Sequence, residues 1–317
     1  MSKKRKPVRL DKRDYEPIEY DYHLPVMLDE CIDFLVLSKT GIYIDGTLGG
    51  GGHADRILSR LGSGGNLLAF DKDPDAIAFC KRKFHSIMIE KSAPEITFYN
   101  ECFSTFCGKP VYDGLINGVL LDLGVSSRQL DSDTAGLSYR FDSRLDMRFG
   151  TDGVPAYDII NKAEPAEIKR ILYQYGEEPK AGLIARRIDE RRRAIPLETT
   201  FDLKNLIEEL VSPAQRYKTL SRVFQAFRIA VNRELEVLEK ALHCYIKMLA
   251  PGGRIVVMSY HSLEDRIVKN VIREYAKPVE GKPIIKNLTN KPITAGEGEI
   301  IRNPRARSAK LRVAEKI

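Results

Sequence analysis

The stretch YIDGTLGGGGHADRIL, residues 43–58, places five glycines within seven positions, between a short apolar run and a helix-like run. Glycine has no Cβ and adopts positive φ without strain, so a ligand can approach the backbone of such a loop closely. A strand, a glycine-rich turn and a helix, in that order, are typical of nucleotide-cofactor cradles. Four consecutive glycines match G-x-G-x-x-G/A only weakly, and a flexible tight turn is the structural alternative.

Two acids near this loop indicate which cofactor it holds. Asp71 ends the next apolar run, where a carboxylate accepts the hydroxyls of an adenosine ribose, a group that NAD and S-adenosylmethionine share. Asp45, at the entrance of the loop, would repel the pyrophosphate of NAD and attract the sulfonium and ammonium of S-adenosylmethionine. The loop is therefore predicted to hold the methionine part of S-adenosylmethionine, although Asp45 could also cap local turn amides.

The order of the apolar runs predicts the fold class. Runs at residues 41–45, 66–71, 96–100 and 118–124 alternate with helical patterns, a rhythm that gives a mostly parallel, Rossmann-like α/β sheet. An apolar stripe with helical spacing predicts one long helix over about 222–249. Further strand patterns follow at 254–260 and 309–316.

Residues 131–220 interrupt this rhythm, because they contain helical patterns and no strong strand run. We predict a helical insertion over 131–220 that recognises the substrate, within an α/β domain formed by residues 21–130 and 221–317, and a basic N-terminal tail over 1–20. Thr200 is the expected cap of a helix in the insertion. Ser262, with Asp265 three residues later, is the expected cap of a helix that follows the insertion.

Positive charge concentrates at the two ends of the chain. The net charge is +7, of which residues 1–13 contribute +6 and residues 302–317 contribute +5, so the remainder carries −4. Basic tails of this kind bind polyanions or simply aid solubility. A second basic patch comprises Arg186, Arg187, Arg191, Arg192 and Arg193, which could bind phosphates or pair with neighbouring acids.

Several classes of protein are disfavoured. The five cysteines form no CxxC pair and the histidines lack ligand-like spacing, so neither a disulfide framework nor a metal site is predicted. No apolar run is long enough to cross a bilayer, and no signal-peptide h-region follows the basic start. We therefore expect a soluble, cytoplasmic protein with no membrane partner.

A further acid, Asp122, closes the fourth predicted strand in LLDLGVSSRQLD, residues 120–131. Open α/β sheets bind ligands at the carboxyl ends of their strands, and a charged residue at this position is a poor candidate for the core. Ser126 and Ser127, which follow it, could bind a ligand or cap the turn.

These motifs together resemble a known family, the bacterial small-subunit (16S) ribosomal RNA cytosine-N4 methyltransferases. The matching blocks are YHLPVMLDE (22–30), YIDGTLGGGGHA (43–54), LLDLGVSSRQLD (120–131), RVFQAFRIAVNRELE (222–236), SYHSLEDRIVK (259–269) and NPRARSAKLRVAEK (303–316). The resemblance implies a class I S-adenosylmethionine-dependent methyltransferase with an inserted helical domain. Its implied reaction is methylation of the exocyclic N4 amine of a decoding-centre cytidine, with small-subunit rRNA or the assembled small subunit as partner. The oligomeric state, a homodimer included, stays open.

The resemblance also implies roles for individual residues. The cofactor-binding positions are Gly51, Gly52, His53, Asp71, Phe103, Asp122 and Gln129.

Asp122 is the predicted catalytic residue, because a carboxylate that accepts an N–H bond stabilises the positive charge that develops on an attacking amine. Tyr139 and Phe141 are candidates for stacking on the base or for core packing. Arg305, Arg307 and Lys310 are candidates for phosphate contacts.

Two other functions compete with this interpretation. An NAD-dependent oxidoreductase would use the same glycine loop, but Asp45 disfavours it. A non-catalytic RNA-binding or ribosome-assembly protein could keep the fold, but the intact loop, Asp71 and Asp122 disfavour it.

Overall fold

The computed structural model describes residues 24–107, 110–125, 135–278 and 281–317. Its centre is a seven-stranded sheet in the order β3-β2-β1-β4-β5-β7-β6. The strands are β1 (Ile42–Asp45), β2 (Asn66–Phe70), β3 (Glu95–Tyr99), β4 (Ile116–Asp122), β5 (Leu249–Ser259), β6 (Ile285–Asn287) and β7 (Lys310–Lys316). All the strand patterns named above correspond to a strand of this sheet.

The first five strands are parallel to one another, and β7 runs antiparallel between β5 and β6. This is the strand order of a class I methyltransferase, so the predicted fold class is confirmed. The direction of strand addition reverses between β1 and β4, and open α/β sheets bind ligands in the crevice at such a reversal.

Both faces of the central strands are buried, which explains why these strands appear in the sequence as continuous apolar runs. Tyr43 on β1 and Leu120 on β4 pack in one hydrophobic cluster, while their neighbours Ile44 and Leu121 pack in a second one on the opposite face. The alternation follows from the two-residue repeat of a strand.

Helices flank the sheet and follow most of its strands. Those of the α/β part are α1 (Leu28–Leu35), α2 (Gly52–Arg60), α3 (Pro74–Lys83), α4 (His85–Ile89), α10 (Glu234–Met248), α11 (Ser262–Tyr275) and α12 (Glu297–Arg302). Helix α3 begins with a side-chain cap and a proline, because Asp73 accepts a hydrogen bond from the Asp75 amide and Pro74 occupies the first helical position.

Between β4 and α10 lie α5 (Ala156–Lys162), α6 (Pro165–Gln174), α7 (Ala181–Ala194), α8 (Thr200–Leu210) and α9 (Pro213–Asn232). Buried residues between Leu137 and Phe227 form a third hydrophobic cluster of their own. This cluster extends past residue 220, because α9 packs its apolar face against α5 and α6. The domain boundaries stay a prediction.

The predicted single helix over 222–249 is wrong. The chain forms α9 and α10 instead, separated at Arg233, which adopts the left-handed conformation with φ of 52°. An apolar stripe continues across the break because both helices pack on apolar surfaces, so periodicity alone could not locate it.

The predicted caps are each displaced by one residue. Thr199, not Thr200, caps α8 and forms a capping box with Asp202, while Thr200 is fully buried. His261, not Ser262, caps α11, and its partner in the capping box is Glu264. Among the described residues, no helix combines the length and the apolar character needed to cross a bilayer.

Candidate cofactor and substrate site

A cavity of about 420 Å³ opens at the carboxyl ends of the central strands. The glycine loop after β1, the ends of β2, β4 and β5, and the loop after β3 all contribute to its wall. Residues of the helical segment, namely Phe149, Gln225, Arg228 and Asn232, contribute the remaining side together with Glu234 of α10. The cavity therefore lies between the sheet and the helical segment, at the reversal of the strand order.

The glycine loop is tightly held at its C-terminal end. Gly51 has φ of 69°, and a Cβ there would lie 2.9 Å from both Cys80 Sγ and a Phe84 ring carbon. The Lys83 ammonium donates hydrogen bonds to the carbonyls of Gly50 and Gly51 at 3.3 and 3.1 Å. Gly49, Gly50 and Gly52 line the cavity, and Gly51 does not. Gly51 instead packs against Cys80 and Phe84, where a larger residue would change the conformation of the loop.

Asp71 joins the end of β2 to the glycine loop. Its carboxylate accepts hydrogen bonds from the amides of Gly49 at 2.8 Å and Asp73 at 2.9 Å. Burial raises the pKa of this carboxyl. A carboxylate offers about four lone-pair sites, so Asp71 can also accept hydroxyl donors from the cavity that it lines.

Asp45 is almost fully buried at the end of β1. One oxygen accepts a hydrogen bond from the Thr47 amide at 3.1 Å, which is the local capping expected as an alternative. The other oxygen is buried and has no hydrogen-bond partner among the described residues. Burial, with a contribution from the nearby Asp71, raises the pKa of Asp45 to about 7. A cation in the adjoining cavity would favour its ionised form.

Asp122 ends β4 beside the glycine loop, and two side chains approach its carboxylate. The Tyr260 hydroxyl donates a hydrogen bond to one oxygen at 2.7 Å, and Nδ1 of His53 lies 3.7 Å from the other. Burial raises the pKa of Asp122 to about 7, although the hydrogen bond from Tyr260 opposes this shift. The backbone is fixed as well, because the Asp122 amide donates to the Thr47 hydroxyl at 2.7 Å.

His53 is neutral, because burial lowers its pKa to about 4. Its Nε2 lies 3.2 Å from the Val26 carbonyl, which can only accept, so Nε2 carries the proton. The lone pair of Nδ1 then faces Asp122. This arrangement suits a donor between the two groups, or a proton on Asp122.

The structure brings most of the predicted site residues together. Gly52, His53, Asp71, Phe103 and Asp122 line one cavity. Gln129, as well as Ser126 and Ser127, lies outside the described residues. Their roles in binding and catalysis stay predictions.

The predicted base-stacking residues do not line the cavity. The Tyr139 hydroxyl is 3.0 Å from Ser221 Oγ, and its ring contacts Phe224 edge-on, so Tyr139 packs in the helical segment. Phe149 and Tyr260 are aromatic side chains on the wall that sequence reasoning missed. Tyr260 directly follows β5, the neighbour of β4, and this position was the available signal.

The arginine patch on α7 is largely engaged with acids and carbonyls. Arg192 pairs with Asp189 at 2.8 Å and also donates to the carbonyls of Ile160 and Ala163 at the end of α5. Arg187 and Arg193 pair with acids too. The local pairing considered as the alternative therefore describes much of this patch, and Arg192 has a structural role.

One group of side chains in the described residues has donor atoms close enough to hold a metal ion, namely Glu234, His261 and Glu264. Glu234 is already paired with Arg228 through two hydrogen bonds, and Glu264 accepts from the amides of Tyr260 and His261. These partners balance the acids without an ion.

The cavity fits S-adenosylmethionine on three independent grounds. Asp71 offers acceptor sites to a ribose, and the glycines leave room beside the backbone. The unpartnered oxygen of Asp45 and the high pKa values of Asp45 and Asp122 indicate a crevice that favours positive charge.

Replacing Asp71 with alanine should weaken the binding of S-adenosylmethionine by about 1.5–3 kcal/mol, the usual worth of hydrogen bonds to a charged group. The variant also loses the acceptor for the Gly49 amide, so the loop itself loosens. Isothermal titration calorimetry measures the affinity, and circular dichroism checks the fold. Unchanged affinity in a folded variant would remove Asp71 from the site.

Replacing Asp45 with asparagine should stabilise the ligand-free protein above pH 7 and weaken its affinity for S-adenosylmethionine. The folded-state pKa of about 7 exceeds the usual 3.8, so ionisation costs the folded state up to about 4 kcal/mol, fully above pH 7 and hardly at all below pH 4. Thermal melts at pH 4 and pH 8 measure the difference. A variant less stable than the parent at pH 8 would contradict it.

Comparisons with known proteins show which family the chain is similar to. A family model described as the MraW methylase family matches residues 21–317. A protein of Heliobacterium mobile named ribosomal RNA small subunit methyltransferase H is 44% identical over 315 residues, with 93% of this chain and 99% of that protein covered. A protein of the same name from Fusobacterium nucleatum is 39% identical over 316 residues, covering 95% and 99%.

Solved structures are more distant. An S-adenosylmethionine-dependent O-methyltransferase of Thermotoga maritima gives a TM-score of 0.39 at 9% identity, with 96% of this chain and 69% of that chain covered. TrmN of Thermus thermophilus gives 0.41 at 10% identity, with 92% and 48% covered.

The family model spans nearly the whole chain, and the relatives are well above 30% identical over almost their full length. The resemblance inferred from the sequence motifs is thereby confirmed, and the chain belongs to the MraW methylase family.

Proposed function

We propose that this enzyme transfers a methyl group from S-adenosylmethionine to the exocyclic N4 amine of a decoding-centre cytidine in small-subunit ribosomal RNA. The observation that carries the proposal is the partly buried carboxylate of Asp122, which accepts a hydrogen bond from Tyr260 at the end of β4, beside the glycine loop. The names of the relatives and the motifs of the family support the choice of rRNA as substrate.

The cofactor supplies an electrophilic methyl group on a positively charged sulfur. The amine of cytosine is a poor nucleophile because its lone pair is delocalised into the ring. Asp122 accepts an N–H bond from this amine and stabilises the positive charge that develops on nitrogen as the new C–N bond forms and the C–S bond breaks. With a pKa of about 7, Asp122 can then take the proton that the methylated amine releases.

A neutral His53 supports this role of Asp122. Its Nδ1 lone pair lies near the carboxylate and offers no competing donor, so the second oxygen of Asp122 is left to accept from an incoming amine. The target base must leave its stack to reach this buried site, at a cost of a few kcal/mol.

Contacts to the RNA backbone are assigned to basic groups near the cavity. Arg305 lies on its wall, and Arg307 is exposed nearby in the same 3₁₀ helix, Pro304–Ser308. Lys310 is 3.5 Å from Asp265, so its charge is partly balanced. The basic segment at residues 1–13, outside the described residues, would extend this surface. The helical insertion predicted over residues 131–220 would position the RNA. The protein would act in the cytoplasm. A homodimer stays a prediction.

Mass spectrometry of nucleosides from small-subunit rRNA tests the proposal. Subunits and naked rRNA from a strain that lacks the enzyme are incubated with the protein and deuterated-methyl S-adenosylmethionine. Labelled N4-methylcytidine at one decoding-centre position is the expected product. Label on another base, on a ribose or on neither substrate would refute the proposed reaction.

Asp122→Asn should reduce the single-turnover rate of methyl transfer by about 10²-fold or more, the usual cost of losing one electrostatic contact made in the transition state. Asparagine is close in shape and still accepts one hydrogen bond, so the fold should persist. The rate is measured at saturating S-adenosylmethionine to separate chemistry from cofactor binding. A wild-type rate under saturation would make Asp122 a binding residue only.

Tyr260→Phe should move the pH dependence of methyl transfer upwards by about one pH unit. The ionised carboxylate is the acceptor, so the rate should rise with pH through the pKa of Asp122, about 7. The hydroxyl of Tyr260 stabilises the ionised form, and its loss raises that pKa. Single-turnover rates from pH 5.5 to 9.5 give both profiles. Superimposable profiles would show that Tyr260 does not tune Asp122.

A further inference from the structure

The ion pair between Arg228 on α9 and Glu234 on α10 forms part of the cavity wall and has no task in the mechanism above. Nε and Nη2 of Arg228 donate to the two carboxylate oxygens at 2.8 and 3.0 Å. Both side chains are largely buried, with 15% and 11% of their surface exposed. The pair is thus a fixed, two-bonded unit that faces the site.

Stability alone does not explain a buried pair of this kind. Removing two charges from water costs about as much as their attraction returns, and well-packed apolar residues often serve as well. The backbone between the two residues is also unfavourable, because Arg233 adopts positive φ without being a glycine. This turn brings the first residue of α10 back to Arg228, six positions earlier on the chain.

The pair retains unused hydrogen-bonding capacity. Nη1 of Arg228 makes no hydrogen bond to any described residue, and each oxygen of Glu234 has a second lone pair. An unused donor on Arg228 and unused acceptor positions on Glu234 therefore belong to two adjoining residues in the wall of the cavity that also contains Asp122.

The pair has no net charge, because Glu234 balances Arg228, and it therefore favours a neutral ligand over an anion. A phosphate would benefit from Arg228 but would be repelled by Glu234 and by the nearby Glu264, which is buried. The Watson–Crick edge of cytosine is neutral and offers an amine donor beside the N3 and O2 acceptors, which complements an adjacent acceptor and donor.

We propose that Arg228 and Glu234 read the Watson–Crick edge of the target cytosine, an inference that rests on the function proposed above. Nη1 of Arg228 donates to N3, and Glu234 accepts one hydrogen of the N4 amine. The other hydrogen remains for Asp122. With both N–H bonds occupied, the pair selects cytosine over uracil, which presents a carbonyl and an N–H in these two places.

The test compares the affinity of the protein for two substrates in the presence of S-adenosylhomocysteine. The first is the substrate form that the methylation assay identifies, and the second carries 3-deazacytidine, which lacks the N3 acceptor, at the target position. Affinity is measured instead of rate because removing N3 also changes the reactivity of the amine. For the unmodified protein, we expect 3-deazacytidine to weaken binding by about 10-fold, the usual worth of a specific base contact.

The informative variant is Arg228→Met with Glu234→Met, which removes both readers and leaves no unpaired buried charge. In this variant, the difference between the two substrates should shrink to less than about 3-fold, since the interaction no longer exists to be lost. The matched control is Arg222→Met with Glu178→Met. It removes an ion pair of 3.6 Å that also involves α9, but neither residue lines the cavity, so the discrimination should be intact.

Three results would overturn the inference: no discrimination by the unmodified protein, full discrimination by the Arg228→Met, Glu234→Met variant, or its loss in the control. Should the double variant fail to fold, Arg228→Lys keeps the charge paired but lacks the planar fork, and should lose the same discrimination. Failure of the proposed function is a separate result, because it appears as absent N4 methylation by the unmodified protein.

Discussion

Three carboxylates at one edge of a buried sheet impose the constraint on which the site depends. Asp45, Asp71 and Asp122 end three neighbouring parallel strands, and burial raises the pKa of each. Asp45 also lies close enough to the other two for charge repulsion to act: Asp71 raises the pKa of Asp45, and Asp45 raises the pKa of Asp122. Such a crevice is unfavourable while empty of positive charge, so it selects a cationic ligand over a pyrophosphate.

The neighbouring backbone is arranged to tolerate this concentration of acid. The amides of Thr47, Gly49 and Asp73 donate to the carboxylates of Asp45 and Asp71, which keeps these oxygens in fixed positions. Lys83 binds the loop through its carbonyls and not through the acids. Among the described residues, backbone dipoles and not side-chain cations bond to the carboxylates of Asp45 and Asp71, which preserves their attraction for a cationic ligand.

The fold and one half of the site could be predicted from the sequence because both follow from local patterns. Apolar runs located the strands, and acids at the ends of those runs located Asp45, Asp71 and Asp122. The other half could not be predicted, since Phe149, Arg228 and Glu234 approach the cavity through the packing of helices that are distant along the chain. Tyr139 was a reasonable aromatic candidate, but the side chain packs against Phe224, a contact that no spacing rule reveals.

The break at Arg233 positions the part of the site that the sequence does not predict. A single continuous helix would carry residues 228 and 234 to different faces, because six residues turn a helix well past one and a half revolutions. The left-handed residue separates the two helices, and the two side chains lie within hydrogen-bonding distance. The adjacent Asn232 forms hydrogen bonds with the backbone of Met147 and Phe149, so the same turn also fixes the position of Phe149 on the cavity wall. One strained residue thus connects the core of the helical segment to the cavity, and a shift of that segment would move both the ion pair and Phe149 relative to Asp122.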